Sequence, residues 1–390
     1  MARLYLKGIG MMVGMMFGAG MFALPFAFSR AGLFWGVANF AAVFLILFLL
    51  HFLYGEVAFY ARGKHRFTGY VEIFLGKKAK QFALFATVAS YYGSLLVYGL
   101  LGGLFLSNFF DHGSYRFVLS LLFFAAAGIL VLLNLKKIAS INFYLTVPLF
   151  AFIVYLLVAA LPAIKMENFL MNFNSSFSGD WFMPYGIWLF SLSGFATLPE
   201  VRDLFSKSSI KDFKKVIAAS LLLSAVFYFL FVVAVWGASN DHTSSEALFG
   251  IAKVLGRNAF LAGSLIGLLA VFTSFLAMAT DMRNIFRYDY DIPKFWAWLM
   301  ATLPPAGLFL LGAVDFAKIL SLVGALGLGT IGIFIIFMAR SLRKRIKDGD
   351  PGDLLKPDNG NYTKPTRFVE IAAAAGILSG VAYQLWIIFA

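Results

Sequence analysis

One short phrase occurs twice in the chain, each time inside an apolar run. It is Gly-x-x-x-Leu-Pro, at 20–25 and again at 194–199. Glycine adds backbone freedom, while the proline removes an amide donor and clashes with the preceding turn, so each phrase predicts an interrupted helix. In lipid, an interrupted backbone persists only where it lines a cavity. Two such breaks at corresponding positions of two halves of a chain are typical of the midplane binding site of a secondary transporter.

The two breaks expose backbone groups that suit the two ends of a zwitterion. Free amides at the start of a half-helix attract a carboxylate, while carbonyl and hydroxyl oxygens at the other break attract an ammonium group. Ser191 and Ser193 supply the hydroxyls, although an isolated serine in a helix often bonds the carbonyl one turn back instead. The predicted substrate-binding residues of the breaks are Gly18, Ala19, Gly20, Phe22, Phe190, Ser191, Ser193, Gly194 and Phe195.

The phenylalanines beside the breaks favour a neutral, aromatic or branched amino acid, because no formal charge lies at the inferred centre to pair with a charged side chain. Glycines at 10, 14 and 18 also form a small-xxx-small ridge, which lets helices pack closely and explains Gly10 and Gly14 without a ligand. The ridge does not include Gly20 and does not explain Pro25.

These breaks must be carried by membrane helices. Hydrophobic residues make up 61% of the 390-residue chain and charged residues 13%, a composition that a soluble domain does not tolerate. Apolar runs of about 18 residues or more predict transmembrane helices. We therefore predict an all-α polytopic membrane protein with eleven transmembrane helices, at 8–30, 33–60, 81–109, 115–134, 140–161, 181–204, 214–238, 258–281, 294–312, 315–340 and 367–389.

The net charge of +13 indicates membrane topology and needs no nucleic-acid partner. Most Lys and Arg residues fall in alternate loops, which predicts a protein of the cell membrane with a cytoplasmic N-terminus and an extracytoplasmic C-terminus. The chain has no cysteine, which excludes disulfides, thiolate metal sites and cysteine nucleophiles. With no His-Glu-x-x-His motif either, we expect neither an enzyme nor a cofactor.

The order of the spans predicts an inverted repeat. Spans 1 to 5 and spans 6 to 10 form two units of opposite orientation, because five is odd and the second unit starts from the other side of the membrane. The predicted boundaries are 1–165 for the first repeat, 166–340 for the second, 341–366 for a flexible cytoplasmic loop and 367–390 for the eleventh helix.

Several phrases carry a resemblance to a known family. They lie at 18–25, 190–200, 273–276 and 303–305 with 321–324. Together they resemble the amino acid/auxin permease family of the amino acid-polyamine-organocation superfamily, and they are also similar to the hydroxy and aromatic amino acid permeases. The resemblance implies a leucine-transporter-type fold, a 5+5 inverted repeat with broken helices 1 and 6, and transport of a small-molecule amino acid across the lipid bilayer. The substrate and the oligomeric state stay open.

The same resemblance adds residues to the site. Span 3 flanks the substrate in that fold, which implies roles for Tyr91 and Tyr98. A sodium ion is typically held between span 1 carbonyls and two adjacent span 8 hydroxyls, and neutral oxygens of this kind suit a hard cation. The implied ligands here are Gly14, Phe17, Ala270, Thr273 and Ser274. Met21 stands where a second sodium site would need an amide side chain, so we expect one sodium site.

Protons are the rival coupling ion, because relatives that share these phrases are thought to include proton users. Glu56, Glu200 and Asp281 lie in or at the cytoplasmic ends of predicted spans, where ionisable side chains are candidates for proton carriage or gating. Some proton-coupled members replace sodium with a lysine in span 5, and 140–161 contains none, which favours sodium. A receptor that binds an amino acid without transporting it is the remaining alternative, disfavoured because the sequence shows no sizeable soluble domain.

Overall fold

The structure is a computed structural model that describes residues 2–110, 115–133, 135–170, 180–206, 208–239, 242–312, 319–320, 323–348 and 365–389. These segments are almost entirely helical, as the apolar runs predict. The α-helices are α1 (Ala2–Met16), α2 (Ala19–Tyr60), α3 (Phe67–Leu75), α4 (Lys77–Ser107), α5 (Arg116–Leu130), α6 (Leu135–Ala160), α7 (Met166–Leu170), α8 (Met183–Ser191), α9 (Leu198–Leu204), α10 (Ile210–Ser239), α11 (Leu248–Asp289), α12 (Lys294–Leu310), α13 (Gly329–Asp348) and α14 (Arg367–Phe389). There are also 3₁₀ turns at Leu161–Ala163 and Phe195–Thr197 and a π-helical segment at Val323–Leu328.

Two of these helices are too long to be single membrane spans. Both α2 and α11 contain 42 residues, which at ~1.5 Å per residue is about 63 Å, roughly twice the hydrocarbon core of a bilayer. Each is interrupted by a glycine in the left-handed region, Gly32 with φ 81° and Gly256 with φ 80°. Only glycine adopts this φ without a steric cost. Gly32 also falls in the gap between the predicted spans 8–30 and 33–60.

The protein is embedded in a membrane, although the predicted number of spans is not confirmed. In the described part of the chain, seven helices are long and apolar enough to cross a bilayer. Predicted spans 1 and 6 do not qualify as single helices because each is divided into shorter pieces. Helices α5, with 15 residues, and α12, with 17, are also shorter than the 18 residues that we required for a span.

The predicted tenth span, 315–340, and the predicted connector, 341–366, lie partly outside the described residues. Where the structure describes them, α13 continues to Asp348, so the first residues of the predicted flexible loop are helical. Two arginines explain this extension, because Arg343 pairs with Glu370 of α14 and Arg345 donates to the carbonyl of Ile73 in α3 at 2.7 Å.

Basic loops meet at one end of the helix bundle, which we call the basic end and define by residues 61–66, 202–206 and 283–294. Arg202 donates to the carbonyl of Ala61 at 2.8 Å, and Tyr5 of α1 bonds Asp212 of α10. These contacts hold the ends of α1, α2, α9 and α10 together. The two helix breaks lie deeper in the bundle, where residues 10–25 and 187–201 are all buried.

Candidate functional site

The first break consists of Phe17 and Gly18. Helix α1 ends at Met16 and α2 begins at Ala19, so Ala19 and Gly20, which were predicted to be unwound, form the first turn of α2. A two-residue break suffices because Gly18, with φ −117° and ψ −149°, leads the chain directly into the new helix. The first amides of α2 still lack partners inside the helix, as at the start of any helix, and remain available for an anionic group.

The second break extends from the end of α8 at Ser191 to the start of α9 at Leu198, and it contains Ser193 and Gly194 as predicted. Thr197 closes the break by donating its hydroxyl and its amide to the carbonyl of Gly194, at 2.9 and 3.1 Å. The Ser191 hydroxyl donates one turn back within α8, at 2.7 Å. Its oxygen lone pairs remain able to accept a hydrogen bond.

Both glycines near the first break are required by close packing. A Cβ atom on Gly20 would lie 2.2 Å from the Oγ of Ser191, and one on Gly18 would lie 2.6 Å from the Oγ of Ser274. The ring of Tyr98 would also lie only 3.1 Å from a Cβ on Gly18. The structure thus brings Gly18, Gly20, Ser191 and Tyr98 of the predicted substrate site together.

Aromatic rings surround the breaks on several sides. The ring of Phe190 lies 6.2 Å from that of Tyr98, and the ring of Phe22 lies 5.0 Å from that of Phe105. Phe195 lies instead against α2, where it stacks on His51 at 4.3 Å. Phe22 and Phe190 thus each pack against another aromatic ring near the breaks, whereas Phe195 packs against His51 of α2.

His51 supports the second break in its neutral form. The Nδ1 atom lies 2.7 Å from the carbonyl of Leu47, and Nε2 accepts the amide of Gly194 at 2.9 Å. A carbonyl only accepts and an amide only donates, so Nδ1 carries the hydrogen and Nε2 presents a lone pair. A protonated His51 could not accept this amide, so the contact fixes both the tautomer and the charge.

Helix α11 meets the last turn of α1 through two adjacent hydroxyls. The Oγ1 of Thr273 lies 3.0 Å from the carbonyl oxygen of Gly14 and 2.9 Å from that of Ala270. The Oγ of Ser274 lies 2.9 Å from the carbonyl oxygen of Met15 and 3.3 Å from that of Gly14. Four of the implied sodium ligands are therefore together, and Met15 joins them. Phe17, the fifth, follows immediately in the break and is fully buried.

This group of oxygens fits a hard monovalent cation. All are carbonyl or hydroxyl oxygens in a buried region, and carbonyls at the C-terminal end of a broken helix carry partial negative charge. In the described part of the chain, no cluster of three or more His, Cys, Asp or Glu residues is placed to hold a metal ion. The chemistry of the neutral oxygens suits sodium better than a divalent ion, which usually takes carboxylates.

A charged cluster closes the bundle at the basic end. Arg66 is only 1% exposed and forms a bidentate pair with Glu200, at 3.0 and 2.8 Å, while its Nη2 lies 3.2 Å from Asp203. Asn284 of α11 also donates to Glu200 at 2.7 Å. The loop after α2 is therefore tied to both α9 and α11. We call Arg66, Glu200, Asp203, Asp281 and Asn284 the Arg66 cluster.

The charge of Arg66 is fixed by its surroundings. Burial alone would lower the pKa of its guanidinium, but the carboxylates of Glu200, Asp203 and Asp281 more than offset this effect and raise the pKa above its usual value. Arg66 therefore stays charged throughout the physiological pH range, and the cluster can change its charge only through its carboxylates.

Asp281 is the least satisfied carboxylate of the cluster. Its Oδ2 accepts the hydroxyl of Tyr91 at 2.8 Å, whereas Oδ1 has no hydrogen-bond partner among the described residues and lies 3.6 Å from the Nε of Arg66. Tyr91 thus belongs to the cluster. It lies two helical turns, about 10 Å, from Tyr98, which is the tyrosine that contacts the first break.

Glu56 does not join the other two predicted carboxylates. It pairs with Lys214 of α10 at 2.5 Å. This pair joins α2 to α10, so the structure separates Glu56 from Glu200 and Asp281, which the Arg66 cluster brings together.

Asp289, at the end of α11, caps α3. Its Oδ2 accepts the hydroxyl of Thr68 at 2.7 Å and the amide of Gly69 at 2.7 Å, and Oδ1 accepts the amide of Arg66 at 3.0 Å. A carboxylate at a helix N-terminus satisfies free amides and opposes the positive end of the helix dipole. This contact holds the backbone that carries Arg66.

A cavity of about 640 Å³ lies on the outer side of the Arg66 cluster. Arg66, Asp203 and Asn284 form part of its wall, together with Arg283 and Lys294. Three members of the cluster thus face this cavity.

Sequence reasoning missed Arg66, Asp289 and Tyr228. Arg66 is one of several cations in a polar loop, and nothing in its local sequence distinguishes it. Tyr228 did carry a signal, because it is a polar side chain inside an apolar run, where polar groups need a partner.

Solved structures with the same fold define the class of this protein. Over 98% of both chains it superposes on MhsT in complex with L-phenylalanine, with a TM-score of 0.69 and 15% identity. Over 97% of this chain and 91% of the other it superposes on Mhp1, a nucleobase-cation-symport-1 family transporter with bromovinylhydantoin bound, with a TM-score of 0.68 and 14% identity. The protein also superposes on a Na⁺-coupled sialic acid symporter, over 98% of this chain and 90% of the other, with a TM-score of 0.60 and 14% identity. The protein has the leucine-transporter fold, with its inverted repeat and broken helices.

A family model narrows this class. The tryptophan/tyrosine permease family matches residues 1–350, and the chain belongs to that family. It is therefore a membrane transporter of amino acids and not an enzyme. The resemblance to the amino acid/auxin permease family is not confirmed. The wider prediction, that the protein is an amino acid permease, is confirmed. No curated protein sequence matches the chain significantly.

Proposed function

We propose that the protein is a sodium-coupled symporter that moves a neutral, aromatic amino acid across the cell membrane by alternating access. The observation that carries the sodium assignment is the convergence of the Thr273 and Ser274 hydroxyls on the last carbonyls of α1, within 2.9 to 3.3 Å. Cation binding there would act directly on the helix that ends at the first break.

The substrate assignment is supported by the groups at the two breaks. The first-turn amides of α2 at Ala19 and Gly20 suit the carboxylate, and oxygens of Ser191, Ser193 and Gly194 suit the ammonium group. Aromatic rings line the same region, where a flat apolar side chain packs well. The family takes its name from tryptophan and tyrosine, and one neighbour in structure binds L-phenylalanine.

Alternating access requires one end of the bundle to be closed while the other opens. The Arg66 cluster closes the basic end in this structure, and the cavity of about 640 Å³ lies immediately beyond it. Opening the cluster would connect the breaks to that cavity. We assign the basic end, with the N-terminus, to the cytoplasm, since basic loops favour that side. We retain repeats at 1–165 and 166–340 and a single helix, 367–390, outside them.

The test is uptake of labelled tryptophan, tyrosine and phenylalanine into liposomes that contain the purified protein. Accumulation driven by an inward sodium gradient, and not by a proton gradient, supports the proposal. Accumulation of small aliphatic or charged amino acids in preference to these three contradicts the substrate class.

Variants then test the ion site. Replacing Thr273 and Ser274 by alanine together should raise the sodium concentration for half-maximal uptake by about tenfold or more, because two of the oxygens around the ion are lost. The matched control replaces Thr87 and Ser220 by alanine. Each of these hydroxyls is also buried but bonds only a carbonyl of its own helix. Unchanged sodium dependence in the Thr273/Ser274 variant would refute the assigned site.

Proton coupling is the second candidate, and one observation favours it. The Oδ1 of Asp281 is buried without a hydrogen-bond partner among the described residues, so a proton bound there would neutralise a buried carboxylate oxygen that lacks a hydrogen bond. Two results together would identify the proton as the coupling ion. Uptake would follow the proton gradient alone, and Asp281→Asn would abolish this proton-driven uptake but leave the exchange of labelled for unlabelled substrate intact.

A further inference from the structure

One tyrosine hydroxyl joins the ends of the two broken helices. The phenolic oxygen of Tyr228 in α10 bonds the carbonyl of Met16, the last residue of α1, and lies 2.9 Å from the carbonyl of Ser191, the last residue of α8. Tyr228 is fully buried. A single hydroxyl hydrogen is thus shared between two acceptors, an arrangement that is common at helix ends.

The partners of the carbonyls that end α1 divide into separate groups. The carbonyl of Val13 accepts the amide of Phe17 at 2.8 Å. Those of Gly14 and Met15 face the hydroxyls of α11, as described above, and that of Met16 accepts both the amide of Gly18, at 2.7 Å, and the hydroxyl of Tyr228. A helix end leaves its last four carbonyls without intrahelical partners, and here each of the four has a hydrogen-bond partner. Tyr228 is the partner that also reaches α8.

Two helix C-termini that meet in a buried region create a strongly electronegative point. Each end carries about half a negative charge, and in transporters the ends of discontinuous helices commonly hold coupling cations. Here the point between the two carbonyls is already filled by an O–H group. Its position is fixed, because the Tyr228 ring lies 5.1 Å from the ring of Phe17 and 6.0 Å from that of Trp188.

We propose that the Tyr228 hydroxyl takes the place of a cation between the two broken helices, so that transport uses only the ion held by Thr273 and Ser274. The proposal rests on the sodium-coupled function proposed above and adds to it a fixed ratio of one sodium ion per amino acid. Tyr228 acts here as a positioning residue, because it orients helix ends and need not touch the substrate.

The experiment measures the ratio of radioactive sodium to labelled tryptophan taken up by proteoliposomes, first with the native chain. A ratio near one supports the proposal. A ratio near two overturns it while leaving sodium coupling intact. A chain that transports tryptophan without any sodium drive overturns the proposed function together with this inference. The native measurement decides between these results even if a variant does not fold.

Tyr228→Phe then tests the role of the hydroxyl itself. Removing it leaves the carbonyls of Met16 and Ser191 without this donor, so we expect uptake at low sodium to fall by about tenfold and to recover at high sodium. The control is Tyr185→Phe, which removes another buried hydroxyl, one that bonds the Gly376 carbonyl at 2.5 Å. Unchanged sodium dependence in Tyr228→Phe, or the same change in both variants, refutes the role of Tyr228.

Discussion

Neutralising Arg66 should open the basic end of the bundle. Arg66→Gln leaves Glu200 and Asp281, which are 2% and 1% exposed, without their cation. Removing one partner of a buried ion pair costs about 3–5 kcal/mol. We take the low end because Glu200 keeps its bond from Asn284 and Asp281 keeps that from Tyr91. The cost applies only to the closed arrangement, since water reaches the carboxylates once the cluster opens. About 3 kcal/mol is roughly a 100-fold shift toward the open arrangement.

A single introduced cysteine can report this shift, because the chain has none of its own. Ala277 lies one turn before Asp281 on the same face of α11 and is 5% exposed. With Ala277→Cys as the reporter, the rate of labelling by a small polar thiol reagent follows the fraction of molecules that are open at the basic end. We expect Arg66→Gln to raise this rate by up to about 100-fold, less if the native chain is already partly open.

The matched control is Arg340→Gln, because Arg340 of α13 also pairs with a carboxylate, Glu370 of α14, but is 44% exposed. It should leave the labelling rate unchanged. Equal labelling rates with and without Arg66, in protein that still binds substrate, would show that the cluster does not hold the basic end closed. An equal increase from both arginine variants would indicate general loosening of the bundle instead.

Three further variants test contacts around the breaks. Gly20→Ala should abolish uptake, because the added Cβ would lie 2.2 Å from the Oγ of Ser191, whereas Gly307→Ala, which has no atom within 4 Å of the added carbon, should transport normally. His51→Phe keeps the stacked ring but removes the acceptor for the amide in the second break, and uptake should fall by about tenfold at unchanged protein yield. Asp289→Asn weakens the cap of α3 and should lower the free energy of unfolding by about 1 kcal/mol, measured as a drop in melting temperature.

The sequence predicted the parts of this molecule that depend on local pattern. A glycine and a proline close together in an apolar run weaken a helix locally, so both breaks were predicted near their positions, although the first phrase itself, 20–25, lies inside α2. The first was predicted slightly too late, because Ala19 and Gly20 already belong to α2. A single sequence does not indicate whether such glycines are unwound or are simply packed against a neighbour, as Gly20 is against Ser191.

The contacts that close the bundle depend instead on residues distant in sequence. Arg66 and Glu200 are separated by 134 positions, and Tyr228 and Met16 by 212. No periodicity connects such pairs. The alternative interpretation of Glu200 and Asp281 as gating residues was reasonable from their positions at helix ends, but their common partner could be found only from the folded chain. The place of Tyr91 on span 3 predicted a role near the substrate, but did not predict that its hydroxyl bonds Asp281.

The candidate ion site and the Arg66 cluster both include residues of α11, at two positions along its axis. Thr273 and Asp281 are eight residues apart on α11, about 12 Å along the axis, so one rigid element carries both contacts. In the structure, the hydroxyls of Thr273 and Ser274 donate to the carbonyls of α1. To coordinate a cation they must turn their hydrogens away and present lone pairs, as the carbonyls already do. The ion then replaces directional hydrogen bonds between α1 and α11 with contacts to both helices. A ligand shifts an equilibrium only by its differential affinity for the two states. The proposed sodium ion would therefore favour the arrangement in which Gly14 stays beside Thr273, which in this structure is the one closed at the basic end.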